Sequence, residues 1–405
     1  MRVAPCALLA AVVLLSCREE LTSPAECPAL CPGGSPEVVD EILSPIAGSD
    51  SSFRGYVQST SAPSLLVSNG LEGFEERAIV RFPRRGDSVA VRDTLRGYTV
   101  DSVAFGLSLA ARDTTLGNVS ISLYRLPITI DSTTGFADVD PFFVPANLVG
   151  VIALPDTLHS GPLRLVLSGT DLSRVVIPPA DTGVLALGLR IDAPTPTGVR
   201  VGAIASGAGP VFQTFATLDV PDTGTARLRT FSLSATFNSS VLPPQPQPDT
   251  TVLAVGGEPS ARALLRFELP AAIRDSANIV RATLELTPVS PVGGLPTDPV
   301  LLQARAVVTD VGAKSPVTVP VVGGVPFVPT DTVGRGAVAV SLEIVRVIEL
   351  WRNSKLPAAL MVSVAPSLEA GTFARPVFYS TRAADPAVRP RLRISFLRTF
   401  PFENP

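Results

Sequence analysis

One stretch of this chain occurs twice, and that repeat constrains the fold more than any other feature of the sequence. The later copy, residues 262–267, reads Arg-Ala-Leu-Leu-Arg-Phe, and the earlier copy, residues 77–82, reads Arg-Ala-Ile-Val-Arg-Phe. In each copy apolar residues lie between two arginines, before a Phe and a nearby Pro. Two copies predict two related modules, and a length of 405 residues suits two domains better than one core.

The residues that lie between the prolines and glycines of this chain favour strands. The chain has 40 prolines and 31 glycines, which predict many turns and few long helices. Short runs of Val, Leu and Thr alternate with polar residues, as in residues 119–124 (Val-Ser-Ile-Ser-Leu-Tyr), and this alternation is typical of a half-buried strand. The sequence therefore predicts an all-β protein built of two tandem, jelly-roll-like antiparallel β-sandwiches.

The predicted boundaries follow composition. Four prolines within residues 243–248 stiffen the chain into a spacer, so residues 238–249 are predicted to be a linker. The other predicted segments are a signal peptide (1–16), a lipidated N-terminus and flexible tether (17–52), a first sandwich (53–237), a second sandwich (250–397) and a C-terminal tail (398–405). Residues 341–352 break the β pattern with helical spacing, which predicts one short helix in the second sandwich.

The N-terminus indicates an exported protein. Arg2 precedes an apolar run from Ala7 to Leu15, which has the length of a signal peptide and is too short for a lasting membrane span. Residues 14–17 (Leu-Leu-Ser-Cys) resemble the lipobox of bacterial lipoproteins, which implies that Cys17 is acylated and anchors the mature chain. An ordinary secretory signal with an incidental cysteine is the alternative. Arg18, where aspartate would signal inner-membrane retention in some bacteria, favours the outer membrane, with the modules facing the periplasm or the cell surface.

Cys27 and Cys31 lie in the predicted tether. In an exported protein a close cysteine pair forms one disulfide or stays as free thiols. A metal site would need more ligands, and the only histidine, His159, is far away in the sequence.

Several segments together resemble DNRLRE-type domains, which are β-sandwich modules of secreted and cell-surface proteins. The resemblance rests on residues 252–257, the strand 262–267, the strand 279–286 and the closing motif 378–386 (Phe-Tyr-Ser-Thr-Arg-Ala-Ala-Asp-Pro). It covers the second module nearly throughout and the first more loosely, where residues 215–229 keep the spacing of the closing motif without its Ser-Asp-Pro core. The resemblance implies a jelly-roll sandwich and, in some members, polysaccharide binding, and it brings no catalytic residues.

Four arginines are candidate binding residues: Arg77, Arg81, Arg262 and Arg266. Alternation places both arginines of each repeated strand on one face, away from the core. They could hold an acidic ligand such as a uronic-acid polymer through bidentate hydrogen bonds. Alternatively, they pair with Glu268, Glu285 or Asp385 and fix the strands. Trp351, the only tryptophan, is either a platform for sugar stacking or a buried plug on the predicted helix.

The chain lacks recognisable catalytic motifs. His159 lies alone in a turn, and no nucleophile motif, phosphate loop or zinc signature is present. Asp138 and Asp140 are the best local carboxylate pair, for glycoside cleavage or as weak calcium ligands, but a solvated loop is the favoured interpretation because no further acidic ligand completes a site. The sequence thus predicts no enzyme and no cofactor, with calcium the one ion left open.

The charge of the chain limits the classes of partner that it is expected to bind. The net charge is −3 and no basic cluster is longer than Arg84–Arg85, which argues against nucleic-acid binding. The leading prediction is a non-catalytic, membrane-anchored extracytoplasmic binding protein that contacts polysaccharide. The alternatives are a scaffolding lipoprotein that contacts other envelope proteins and, third, a polysaccharide-degrading enzyme.

Overall fold

The computed structural model describes residues 38–91, 93–175, 183–219, 228–246, 249–318, 321–322, 325–326 and 328–398. The predicted signal peptide, Cys17 and the Cys27/Cys31 pair lie outside these residues. Within them the chain forms antiparallel sheets with three short α-helices, so the predicted all-β sandwich fold is confirmed. None of the helices in these ranges is long and apolar enough to cross a membrane.

Strands are the main regular structure of both modules. Two strands come before the first module, namely β1 (Val38–Leu43) and β2 (Ser51–Arg54). The first module contains β3 (Ser64–Leu71), β4 (Phe74–Phe82), β5 (Ser88–Val91), β6 (Thr94–Arg112), β7 (Ser120–Arg125), β8 (Leu148–Ala153), β9 (Gly161–Ser168), β10 (Leu185–Asp192), β11 (Gly198–Gly202), β12 (Val211–Leu218), β13 (Leu228–Ser234) and β14 (Phe237–Val241). The second contains β15 (Val252–Ala254), β16 (Ala261–Arg266), β17 (Ala277–Leu286), β18 (Val300–Ala306), β19 (Val321–Val322), β20 (Val325–Pro326), β21 (Asp331–Val333), β22 (Val340–Glu343), β23 (Ala359–Val364), β24 (Val377–Tyr379) and β25 (Arg391–Arg398). The helices are α1 (Phe136–Val139), α2 (Ala271–Ser276) and α3 (Val345–Asn353).

The second module is a sandwich of two sheets. One has the strand order β1-β25-β17-β22 and the other β2-β16-β23-β18-β21. Their inward side chains, among them Leu265, Leu284, Ile394 and Phe396, form one buried cluster. Burying such side chains stabilises a fold by about 1.5–3 kcal/mol each, which makes this cluster the main source of the module's stability.

The first module is one sheet that bends around its own core. Its strand order is β13-β12-β6-β11-β3-β4-β10-β7-β8, with β9 and β5 on β6 and β14 on β4. In the core the ring centroid of Phe82 lies 5.7 Å from that of Phe105 and 5.8 Å from that of Phe212. Phe82, the last residue of the repeated strand β4, thus faces inward together with Ala78 and Val80, as the alternation predicts.

The predicted tether is partly folded into the second module. Residues 17–52 were assigned to a flexible tether, but β1 pairs with the C-terminal strand β25 from Val38↔Leu397 to Leu43↔Leu392. The strand β2 pairs with β16, with Arg54 opposite Ala261. Val39 and Leu43 pack against the core of the second module, which explains why a polar, proline-rich segment becomes ordered.

The predicted linker also begins too early. Asn238 to Val241 belong to β14, which pairs with the repeated strand β4 and places Val241 opposite Arg77. Of the proposed closing motif of the first module, residues 215–218 belong to β12 and residues 220–227 lie outside the described part of the chain. The loop between β11 and β12, which includes Ile204, has the same place in the first module as the loop before β25 has in the second. The proline content predicted a linker here, but it could not show that residues 238–241 pair with β4, which is far away in the sequence.

The helical segment is shorter than predicted, and Trp351 is buried within it. Residues 340–343 form β22, and α3 then runs from Val345 to Asn353. The indole ring of Trp351 is 3% exposed and lies 6.0 Å from the ring of Phe267. Its indole N–H donates to the carbonyl of Ala359 at 3.1 Å. Trp351 therefore fills the core and is not available as a platform for sugar stacking.

The two modules meet along a seam with apolar and charged contacts. Phe373 of the second module is buried with Leu66 and Leu71 of the first. It lies against Gly198, where a Cβ atom would come within 2.6 Å of the ring. Arg200 of β11 forms an ion pair with Asp298 of the second module. The close approach at Gly198 shows that the two modules pack directly on each other.

Candidate ligand-binding site

Arg262 lies on the outward face of β16 and is held by a buried carboxylate. Its Nε donates to Oε1 of Glu369 at 2.7 Å, and its Nη2 donates to Oε2 at 2.8 Å. The Glu369 side chain is only 3% exposed. The guanidinium also lies 4.4 Å from the ring centroid of Tyr56, within cation–π range. This bidentate pair fixes the position of Arg262.

Arg266, two residues further along β16, is bound in the same way. Its Nε and Nη2 donate to the two carboxylate oxygens of Asp310, and its Nη1 donates to the carbonyl of Ser49. The hydrogen bonds from Arg266 lower the pKa of Asp310 below its usual value, and the same pair raises the pKa of Arg266. The charge of Arg266 is therefore neutralised locally.

The arginines of the first module are also engaged. Arg77 forms ion pairs with Asp140 at 2.5 Å and Glu75 at 2.7 Å, and its guanidinium lies 4.3 Å from the ring centroid of Phe143. Arg81 donates to the carbonyl of Ile130 at 2.8 Å.

The contacts of all four arginines therefore differ from the pairs proposed from the sequence. Their carboxylate partners are Glu75, Asp140, Asp310 and Glu369 rather than Glu268, Glu285 or Asp385. Three of these four partners lie in loops that only the fold brings to the strands.

An open pocket of about 410 Å³ lies beside Arg262, and we call it the Tyr56 pocket. Its lining comes from the end of β2 and from the loop that follows β18. The lining residues are Phe53, Arg54, Gly55, Tyr56, Arg262, Ala313, Lys314 and Ser315. The pocket therefore combines aromatic rings with three positively charged side chains.

Cations outnumber carboxylates around this pocket. Arg54 and Lys314 line it, and neither has a carboxylate within ion-pair distance among the described residues. Arg305 lies beside Arg262: burial and, next, the Arg262 charge lower the pKa of Arg305. Burial and then Arg375 lower the pKa of Arg54. Burial is the larger cause of both shifts, and the neighbouring positive charge adds to it, so an anion bound here would counteract both effects.

Tyr56 supplies an apolar wall that stays neutral. Burial raises the pKa of its hydroxyl above the usual value, with Glu369 acting in the same direction and Arg262 against it. The ring therefore remains an uncharged phenol over the working pH range. A phenol ring beside guanidinium groups can contact both the apolar face and the charged group of one ligand.

Asp138 and Asp140 are used within the first module. The Asp138 carboxylate accepts the backbone N–H of Gly135 at 2.8 Å, and Asp140 pairs with Arg77. No group of three or more His, Cys, Asp or Glu side chains in the described part of the chain is placed to hold a metal ion. His159 is exposed in the turn between β8 and β9. These residues do not assemble into one site.

A second charged group is buried at the seam. Glu76 of β4 and Glu258, in the loop between β15 and β16, come from different modules and are 0% and 2% exposed. Arg375 forms an ion pair with Glu76, while Oε2 of Glu76 has no hydrogen-bond partner among the described residues. Burial raises the pKa of Glu76 to about 7, against the effect of Arg375. Burial raises the pKa of Glu258 to about 8, with Glu76 adding to the shift and Ser59 and Arg375 opposing it.

Sequence reasoning found one member of the Tyr56 pocket and missed the others. Arg262 was a candidate because of the repeat. Arg54 and Tyr56 lie at the predicted edge of the tether, and Arg305 and Lys314 lie far along the chain, so no spacing joins them. The only local signal was the juxtaposition of aromatic and basic residues in 53–56.

A scan against protein-family models finds no family that matches this chain, and a search of curated proteins finds no match either.

Proposed function

We propose that this chain is a non-catalytic, envelope-anchored binding protein whose Tyr56 pocket holds an acidic polysaccharide. The observation that carries the proposal is the excess of positive charge around an open, aromatic-lined pocket. Arg54 and Lys314 line the pocket and have no carboxylate partner within the described part of the chain, while Glu369 is already engaged by Arg262. An incoming carboxylate would therefore gain hydrogen bonds that the protein does not satisfy internally.

The chemistry of the pocket fits a sugar acid better than a neutral sugar. Guanidinium groups bind carboxylates through paired, charge-assisted hydrogen bonds, each stronger than a neutral one. Tyr56 can pack against the C–H face of the same sugar ring. A chain of such sugars would extend along the outer surface of the sheet, past the mouth of the pocket.

The anchor is the second part of the proposal. The lipobox-like residues 14–17 support acylation of Cys17, and several acyl chains on one residue give stable membrane attachment. We expect the substitution Cys17→Ala to move the protein from the membrane fraction to the soluble fraction after cell lysis, as measured by immunoblotting. The matched variant Cys27→Ala should leave it in the membrane fraction. If both variants stay membrane-bound, Cys17 is not the anchor.

The ligand is tested by affinity electrophoresis. The wild-type protein should be retarded by polygalacturonate in the gel and should run unchanged in dextran. Replacing Lys314 with Ala, or Arg54 with Ala, should weaken the retardation about tenfold, since a hydrogen bond to a charged group contributes about 1.5–3 kcal/mol. The control Arg281→Ala removes a cation that is 70% exposed on β17, in the other sheet of the second module, and should have no effect. Equal retardation of all variants would contradict the Tyr56 pocket as the site.

A scaffolding role is the second candidate, and one observation favours it. Each repeated-strand arginine is already engaged by the protein, as structural arginines are, and the seam packs the two modules against each other. A protein that bound neither polygalacturonate nor any neutral polysaccharide, but that could be crosslinked to one envelope protein in cells, would support this role instead.

A further inference from the structure

The two modules are completed by two-stranded segments that attach in the same way. In the second module β1 pairs with the last strand β25, and β2 pairs with the repeated strand β16. In the first module β13 pairs with β12, the strand that comes just before it in the sequence, and β14 pairs with the repeated strand β4. We call residues 38–54 and 228–241 the completing segments.

The registers of these segments coincide. On β16 the pairs are Ser51↔Leu264, Ser52↔Ala263 and Phe53↔Arg262. On β4 the equivalent pairs are Ser239↔Ile79, Ser240↔Ala78 and Val241↔Arg77. The sequences agree as well, since residues 50–53 read Asp-Ser-Ser-Phe and residues 238–241 read Asn-Ser-Ser-Val. The completing segments are therefore a second internal repeat.

A buried side chain fixes each segment at an equivalent place. Asp50 is 0% exposed, and its Oδ2 accepts the backbone N–H of Thr381 at 2.7 Å. Asn238 is 2% exposed, and its Oδ1 accepts the backbone N–H of Ile204 at 2.7 Å. Thr381 lies in the loop that precedes β25, and Ile204 lies in the equivalent loop that precedes β12. The two grooves thus recognise their completing segments by the same backbone pairing and the same buried polar contact.

The order along the chain separates one segment from its module. The segment 38–54 comes before the first module but completes the second, so the whole first module lies between that segment and its groove. The strands β1 and β2 are the edge strands of their two sheets, so this segment can leave without breaking any other strand pairing. Residues 55–63 are its only covalent connection to the rest of the described chain, and we call them the crossing segment.

We propose that the groove formed by β16 and β25 accepts the completing segment of a second copy of this chain, so that copies join by strand exchange wherever the crossing segment does not hold the internal pairing. The contacts of an exchanged segment are the same whichever copy supplies it, which makes such exchange a low-cost route to oligomers. The crossing segment alone favours the internal pairing, because it holds the segment at a high effective concentration near its own groove. A shorter crossing segment should therefore shift the balance towards exchange between copies.

The first test shortens the crossing segment in the full chain by deleting residues 57–60. The mass of the variant is measured by light scattering over a range of concentrations, and its strand content by circular dichroism. We expect a folded dimer or larger oligomer that increases with concentration, while the wild-type protein at the same concentration is predominantly monomeric. A variant that remains a folded monomer at every concentration would overturn the proposal.

A second measurement decides the matter if the deletion prevents folding. A protease site replaces residues 57–60 without change of length, and the folded chain is cut there, unfolded in urea and refolded with an excess of labelled peptide 38–54. We expect the label to co-elute with the protein, and a control peptide carrying Asp50→Ala and Ser52→Pro to stay free. Refolded protein that excludes the labelled peptide, or that takes up both peptides equally, would show that the groove does not recognise this segment in trans.

Discussion

The substitution Glu258→Gln should raise the stability of this protein at pH 8 and reduce its dependence on pH between 5 and 8, leaving the part that is due to Glu76. Glu258 is buried at the seam beside Glu76, and the neighbouring groups that act on the two carboxyls are Arg375 and Ser59. Burial raises the pKa of Glu258 to about 8, so the folded protein keeps a proton that the unfolded chain releases near pH 4.5. Stability due to this group is therefore greatest below about pH 4.5 and falls as the pH rises towards 8.

The size of this effect follows from the shift in pKa. Each unit of difference between the folded and unfolded pKa corresponds to about 1.4 kcal/mol. Glu258 by itself should therefore lower the stability of the wild-type protein by on the order of 3 kcal/mol between pH 5 and pH 8. Glutamine keeps the shape of the protonated acid and cannot ionise. Urea unfolding at four pH values measures the slope for both proteins.

The control for this experiment is Glu268→Gln. Glu268 is exposed just after β16, so its replacement should leave the slope of the wild-type protein unchanged. Parallel curves for the wild-type protein and the Glu258→Gln variant would show that Glu258 does not hold its proton in the folded state. Among the described residues, Glu258 and Glu76 are the carboxyl groups whose pKa burial raises into this range, so both contribute to the slope.

The substitution Asp50→Ala should destabilise the second module, although Asp50 precedes the first module in the sequence. Its carboxylate accepts hydrogen bonds from the backbone N–H of Thr381 at 2.7 Å and from the hydroxyl of Thr381 at 2.6 Å, and it forms an ion pair with Arg382 at 3.3 Å. Removing one partner of a buried pair leaves the others unsatisfied, and we expect a loss of about 3 kcal/mol. Amide hydrogen exchange should then accelerate in β16 and β25 more than in β4 and β12.

Two matched variants separate this effect from a general loss of polar contacts. Asp40→Ala on the exposed side of β1 removes only a hydrogen bond with Ser395 and should change stability by less than about 0.5 kcal/mol. Asn238→Ala, at the equivalent place in the other completing segment, should accelerate exchange in β4 and β12 instead. If Asp50→Ala affected only the first module, the assignment of residues 38–54 to the second module would be wrong.

The positions of most strands could be predicted from local patterns. The alternation in β16 and β4 correctly separated the Ala, Leu and Val residues that face the main cores from the arginines on the opposite face. Period-two alternation works here because burial on one face is decided within a few residues along the strand.

The candidate site was far less predictable. Arg262 was identified from the repeat, but its partner Glu369 and its neighbours Tyr56, Arg305 and Lys314 are separated from it by tens to hundreds of residues. A carboxylate can be paired with an arginine only when both positions in space are known. The same limit explains why Trp351 had two interpretations until its burial was known.

The sequence by itself determined the class of fold, the presence of two related modules and the outward face of the repeated arginines, because each depends on residues close together in the chain. Only the tertiary structure decided that residues 38–54 complete the second module, that Glu76 and Glu258 meet at the seam, and which charges surround Tyr56. These features depend on pairing between distant segments. Backbone hydrogen bonds form a ladder with any compatible strand edge, so the choice of edge is made by the whole fold rather than by the strand itself.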